Sequence, residues 1–129
     1  MQRVGAIILL VVVVAVEASA QMLTGKDLQR YCDSTRLDYE GGICRGYVEG
    51  VLGSARSTDK SGRPKTHADG TWDETLFGHR WCLPETASVD KLVAVFNRWL
   101  VAHPEALPRE AARSIAESLA EAFPCKRTK

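Results

Sequence analysis

The residues in this chain that could do chemistry are four cysteines (Cys32, Cys44, Cys82 and Cys125), three histidines (His67, His79 and His103) and the adjacent carboxylates Asp73-Glu74. Cysteines in such a chain serve as nucleophiles, zinc ligands or disulfides. No C-x-x-C pair is present and the spacings match no zinc ribbon or finger. The same absence removes thioredoxin-like exchange and covalent haem attachment. An even number of cysteines in a short exported chain points to two disulfides, and a bridged sulfur is not a nucleophile. The histidines stand in no Ser-His-Asp or Cys-His order, and adjacent acids on a loop are ordinarily solvated. These residues point to binding rather than catalysis, with no metal and no cofactor.

Export is read from the start of the chain. Arg3 precedes an apolar run from Val4 to Val16, and Ala18-Ser19-Ala20 has the A-x-A form of a cleavage site. Residues 1–20 are therefore expected to be a cleaved signal peptide and residues 21–129 a single periplasmic domain. The apolar run ends at Glu17, too short to cross a bilayer comfortably, and no second such run follows. With 17 basic and 16 acidic residues, the net charge of +1 lacks the basic excess of a nucleic-acid binder. Neither nucleic acid nor membrane is an expected partner.

Four helical segments have to hold these residues. Thr24-Gly25-Lys26-Asp27 reads as a capping box, so a first helix begins after Thr24 with Leu28, Tyr31 and Cys32 on one face. A second runs over about 43–55, with Cys44, Tyr47 or Val48, Val51 and Ala55 as its apolar stripe. Gly46, Gly50 and Gly53 line another face of it. Each glycine costs about 1 kcal/mol of helix propensity relative to alanine. That face is therefore expected to lie against another backbone or a large aromatic ring. A third helix, 88–102, aligns Val89, Leu92, Val93, Phe96, Trp99 and Leu100 and ends at His103-Pro104. A fourth opens at Pro108, a residue suited to the first helical position, and aligns Ala112, Ile115, Leu119, Ala122 and Phe123. The expected fold is all-α: a small four-helix domain of two helical hairpins stapled by two disulfides.

Between 56 and 81 the periodicity disappears. Residues 57–70 are rich in turn formers and charges. A loop of this length in a compact domain tends to be functional or disordered. Its second half carries Trp72, Phe77, His79 and Trp81, either anchors on the core or hot-spot residues for a partner. Trp81, beside Cys82, is assigned to the core, while Trp72 fits either role. Arg63, His67, Trp72 and His79 are the candidate partner-binding residues.

Four blocks of the sequence resemble, in order, the signature of the Rap/Tai family. They are Cys44-Arg45-Gly46-Tyr47-Val48-Glu49-Gly50-Val51, Trp81-Cys82-Leu83-Pro84, Trp99-Leu100-Val101-Ala102-His103-Pro104 and Ala122-Phe123-Pro124-Cys125. This family of exported bacterial proteins includes the type VI secretion amidase immunity proteins. The resemblance covers about 28–125. It implies an all-α periplasmic domain that binds and occludes a peptidoglycan amidase, often as a homodimer whose protruding loop enters the amidase's cleft. Such an inhibitor needs no catalysis, only a pre-organised scaffold and one complementary segment. No effector-contacting residue is carried over from the family. The alternative function is a periplasmic helical binding or chaperone-like stress protein with no toxin partner.

Four cysteines allow three pairings. Local pairing, Cys32 with Cys44 and Cys82 with Cys125, would leave the two hairpins unlinked. Pairing Cys44 with Cys82 and Cys32 with Cys125 would tie hairpin to hairpin, stabilising by up to roughly 4 kcal/mol per bridge, and is narrowly preferred.

Overall fold

A computed structural model describes residues 22–33 and 38–127; the expected signal segment, 1–20, lies outside them. The elements are α1 (Gly25–Cys32), α2 (Tyr39–Ala55), β1 (Thr71–Leu76), β2 (His79–Pro84), α3 (Val89–Ala102) and α4 (Ala111–Ala122), with a single 3-10 turn at Pro104–Ala106.

Local signals account for most helix ends. The Thr24 hydroxyl accepts from the Asp27 amide while the Asp27 carboxylate accepts from the Thr24 amide, a complete capping box. Asp38 caps α2 through the Gly41 amide, and Ser88 caps α3 through the Lys91 amide. At the end of α3 the His103 amide donates to Trp99 and Leu100 carbonyls, and Pro104 prevents continuation. The fourth helix starts later than Pro108 suggests. Residues 104–110 are held by the N-terminal segment instead: Gly25 N–H donates to Arg109 O at 2.8 Å, Lys26 N–H to Leu107 O at 2.9 Å, and Ala111 N–H to Leu23 O at 2.8 Å. The last of these satisfies the first amide of α4, which has no side-chain cap.

One core joins all the elements. Leu28, Val48, Trp81, Leu92, Phe96, Leu100, Ile115 and Leu119 are its fully buried large side chains. The α3 and α4 stripes pack on each other, and α2 contributes Val48, Val51, Leu52 and Ala55. Arg45 on α2 pairs with Asp90 on α3.

Three expectations are corrected here. The fold is mixed α/β rather than all-α, because the second half of the expected loop forms a two-stranded antiparallel sheet. Its register sets Trp72 opposite Leu83, Asp73 opposite Cys82, Glu74 opposite Trp81 and Leu76 opposite His79. Phe77 and Gly78, at φ 51° and 79°, make the two-residue turn; positive φ at both central positions is the type I′ requirement, whose twist matches the flanking strands. The hairpin packs on α2 and α4, with Trp81 as its buried anchor.

The disulfides are local: Cys32–Cys44 and Cys82–Cys125, with Cα–Cα distances of 5.0 and 4.8 Å, in place of the expected Cys44–Cys82 and Cys32–Cys125. Cys32 ends α1 and Cys44 lies in the neighbouring part of α2, whereas β2 carries Cys82 alongside the C-terminal segment. There Cys82 N–H donates to Phe123 O at 2.9 Å, two residues before Cys125. The core and the backbone bonds from Leu23, Gly25 and Lys26, not cross-links, tie the halves together.

Gly46, Gly50 and Gly53 of α2 do not lie against another backbone or ring. A Cβ built at Gly42, Gly46, Gly50 or Gly53 meets nothing within 4 Å, because α2 buries the opposite stripe. The glycine that does meet a neighbour closely is Gly25, whose Cβ would stand 3.0 Å from the Ala106 carbonyl oxygen.

Candidate partner-binding surface

Residues 57–70 form an ordered projection built on the outer edge of β1. Ser57 N–H donates to Asp73 O, Asp73 N–H to Lys65 O, and Lys65 N–H to Ser57 O, at 3.2, 3.0 and 2.8 Å. Two aspartates shape its turns. The Asp59 carboxylate accepts from Ser61 N–H at 2.8 Å, Ser61 Oγ at 2.6 Å and Arg63 N–H at 3.0 Å. Asp69 accepts from Thr71 N–H and Oγ1 at 3.1 and 2.7 Å. These hydrogen bonds favour the charged form, so both carboxyls titrate below their ordinary value. The tip, residues 58–66, is wholly exposed and carries Lys60, Arg63 and Lys65 against the single acid Asp59. Asp59 and Arg63 pair with each other at 3.6 Å, and Lys60 and Lys65 leave the tip weakly basic.

The four sequence candidates do not converge. Arg63 stands at the tip, where its Nε donates to Ser61 Oγ at 3.0 Å. His67 lies at the base, its Nε2 3.5 Å from Asp73. Trp72 is half-buried beneath the Arg56 guanidinium, which sits 3.8 Å from the ring centroid. His79 begins β2 at the other end of the hairpin, 3.8 Å from Glu117, whose carboxylate also takes two hydrogen bonds from Arg109. His103 is a helix cap: its ring stacks on Trp99 with centroids 4.2 Å apart, and Nδ1 lies 2.9 Å from the Trp99 carbonyl.

The paired acids are not solvated. Strand alternation sends their side chains to opposite faces. Asp73 is buried and takes two 2.8 Å hydrogen bonds from Arg80, which hold its carboxyl below the usual range. Glu74 faces the core, fully buried. Trp81 Nε1 donates to its Oε2 at 2.6 Å, and Arg56 approaches its Oε1 at 3.5 Å. Desolvation outweighs both partners and raises the Glu74 pKa.

Metal and thiol chemistry have little to work with. His67, Asp73, Cys82 and Cys125 place one donor atom each within 4.8 Å of one another. The two sulfurs are bonded to each other, however, and Arg80 already holds the carboxylate. Among the described residues there is no free cysteine.

Beside the projection lies a groove of about 350 Å³ between the end of α2, the hairpin and the start of α3. Arg56, immediately before the 57–70 projection, and Trp72, two residues after it, both line it. Its floor includes Leu52 and Leu83. Apart from Trp72, the groove residues were not legible as a site, because Leu52 lies within the second expected helix, outside its stripe, and Arg56 opens the aperiodic stretch 56–81, with no local signal joining them.

No curated protein and no solved structure matches the chain. Residues 24–125 match the Rap1a immunity proteins, a span that contains every helix and strand described above. The chain belongs to the family of Rap1a immunity proteins.

Proposed function

We propose that this protein is a periplasmic immunity protein that binds and occludes a peptidoglycan amidase delivered by a type VI secretion system. Membership of the immunity family implies a protein effector as partner. The observation that carries the mode of binding is the 57–70 projection, an exposed segment braced by backbone bonds to β1 and by the turns at Asp59 and Asp69. A segment already held in its bound shape loses little conformational entropy on docking. Arg63 at the tip is the partner contact best placed to enter a cleft, and Trp72 at the base is a second contact. His67 and His79, engaged with Asp73 and Glu117, are support for the projection and hairpin. The protein works by covering the amidase's nucleophile, as a monomer or as a homodimer that presents two such projections.

Co-expression with the amidase encoded beside it tests this reading. A stable complex on gel filtration, together with survival of cells that carry the amidase in the periplasm, is expected. Lysis of those cells despite normal levels of this protein contradicts it.

A further inference from the structure

We infer that the groove at the foot of the projection receives an apolar side chain of the protein partner flanked by lysine or arginine. This rests on the reading of the projection as the effector contact, and it extends that contact into an anchor pocket. The groove is continuous with the projection, because its wall includes Arg56, which precedes residue 57, and Trp72, which bridges to Thr66 of the projection. Leu52 and Leu83 floor it with apolar surface, and a Trp–Arg pair at such a site is the composition found in interface hot spots.

Charge decides what flanks the anchor. The Arg56 guanidinium is committed to Trp72 and to the buried Glu74 carboxylate. Glu49 and Glu85 lie on the rim, exposed, and make no salt bridge or hydrogen bond among the described residues. A ligand entering between them meets net negative potential, so cationic neighbours are favoured and acidic ones repelled. Gly53 keeps the groove open: a Cβ there meets nothing within 4 Å. A Cβ is therefore tolerated at this groove-lining position, leucine there adds bulk at the groove, and the substitution also removes a helix-weakening glycine.

The test uses the protein purified after export, labelled with nitrogen-15, and two synthetic peptides, acetyl-Gly-Lys-Leu-Lys-Gly-amide and acetyl-Gly-Glu-Leu-Glu-Gly-amide. The indole N–H resonance of Trp72 is followed against those of Trp81 and Trp99. The expected result is a saturable shift confined to Trp72, about fivefold tighter for the cationic peptide. It is abolished in Gly53→Leu and reversed in peptide preference when Glu49→Lys and Glu85→Lys are combined. No saturable shift, equal affinity for the two peptides, or a shift that persists in Gly53→Leu overturns the inference. No amidase is present, so this failure is separate from failure of the immunity reading, which the co-expression experiment measures.

Discussion

Glu74 and Trp81 face each other across the hairpin, and the indole N–H of one donates to the buried carboxylate of the other at 2.6 Å. A carboxylate with no exposure is unusual on the core face of a two-stranded sheet. Its cost is offset by the indole and by Arg56, which approaches from the end of α2. Arg56 thereby links the hairpin to the end of α2, next to the start of the projection.

Burial raises the Glu74 pKa above its ordinary 4.5, so the folded chain binds that proton more tightly than the unfolded chain does. The associated stability is fully present below the unfolded value and is lost as pH rises through the folded one. Glu74→Gln keeps an acceptor for Trp81 and removes the titration. Its stability relative to the parent protein should rise between pH 4 and pH 7 in urea titrations, and a gap that is flat or moves the other way contradicts the assignment. Trp81→Phe leaves the carboxylate without its indole and should cost at least about 1.5–3 kcal/mol at pH 7. Most of that loss should disappear when it is combined with Glu74→Gln.

Two glycine substitutions should have opposite signs. Gly46→Ala meets open space and gains helix propensity, so it should stabilise by about 0.8–1 kcal/mol. Gly25→Ala pushes a methyl group to 3.0 Å from the Ala106 carbonyl and disturbs the N-terminal segment's bonds to residues 107–111. It should destabilise by about 1–3 kcal/mol. Chemical denaturation of both variants measures this, and a destabilised Gly46→Ala would show that the open face of α2 is covered.

Peptide mapping without reductant should recover Cys32 joined to Cys44 and Cys82 joined to Cys125. On the loop-entropy account, removing the first bridge, which closes a separation of 12 residues, should cost about 3 kcal/mol. Removing the second, with its separation of 43, should cost about 4 kcal/mol. Recovery of a Cys44–Cys82 peptide would refute the fold's wiring.

The sequence made the helices plain because their signals are local. The Thr24 box, the stripe from Leu92 to Leu100 and the His103-Pro104 stop need only neighbours in the chain. The hairpin was hidden because its signals are not local. Glu74 interrupts the apolar alternation of Trp72 and Leu76, and its burial becomes tolerable only once Trp81 and Arg56 arrive from elsewhere. Phe77 at a position of positive φ masks a turn that asparagine or glycine would have announced. The disulfide pairing followed the hairpin, since only β2 brings Cys82 beside the C-terminal segment. The blocks that carry the family resemblance are largely scaffold: Cys44, Cys82 and Cys125 are bridged, Leu83 is buried and His103 caps a helix. The projection lies between those blocks, which is why the family is legible and the effector contact is not.

Titration of the proposed amidase partner's cell-wall hydrolysis with this protein tests the central claim most directly, comparing the parent protein with a Lys60→Glu, Arg63→Glu variant. Both positions are exposed at the tip, and the Asp59–Arg63 pair lost there is a surface one, so the variant should unfold within a few degrees of the parent. The account predicts stoichiometric inhibition by the parent protein and at least about tenfold weaker inhibition by the variant, as for loss of charged contacts worth roughly 1.4 kcal/mol. Equal inhibition by the two, or none by the parent, would contradict it.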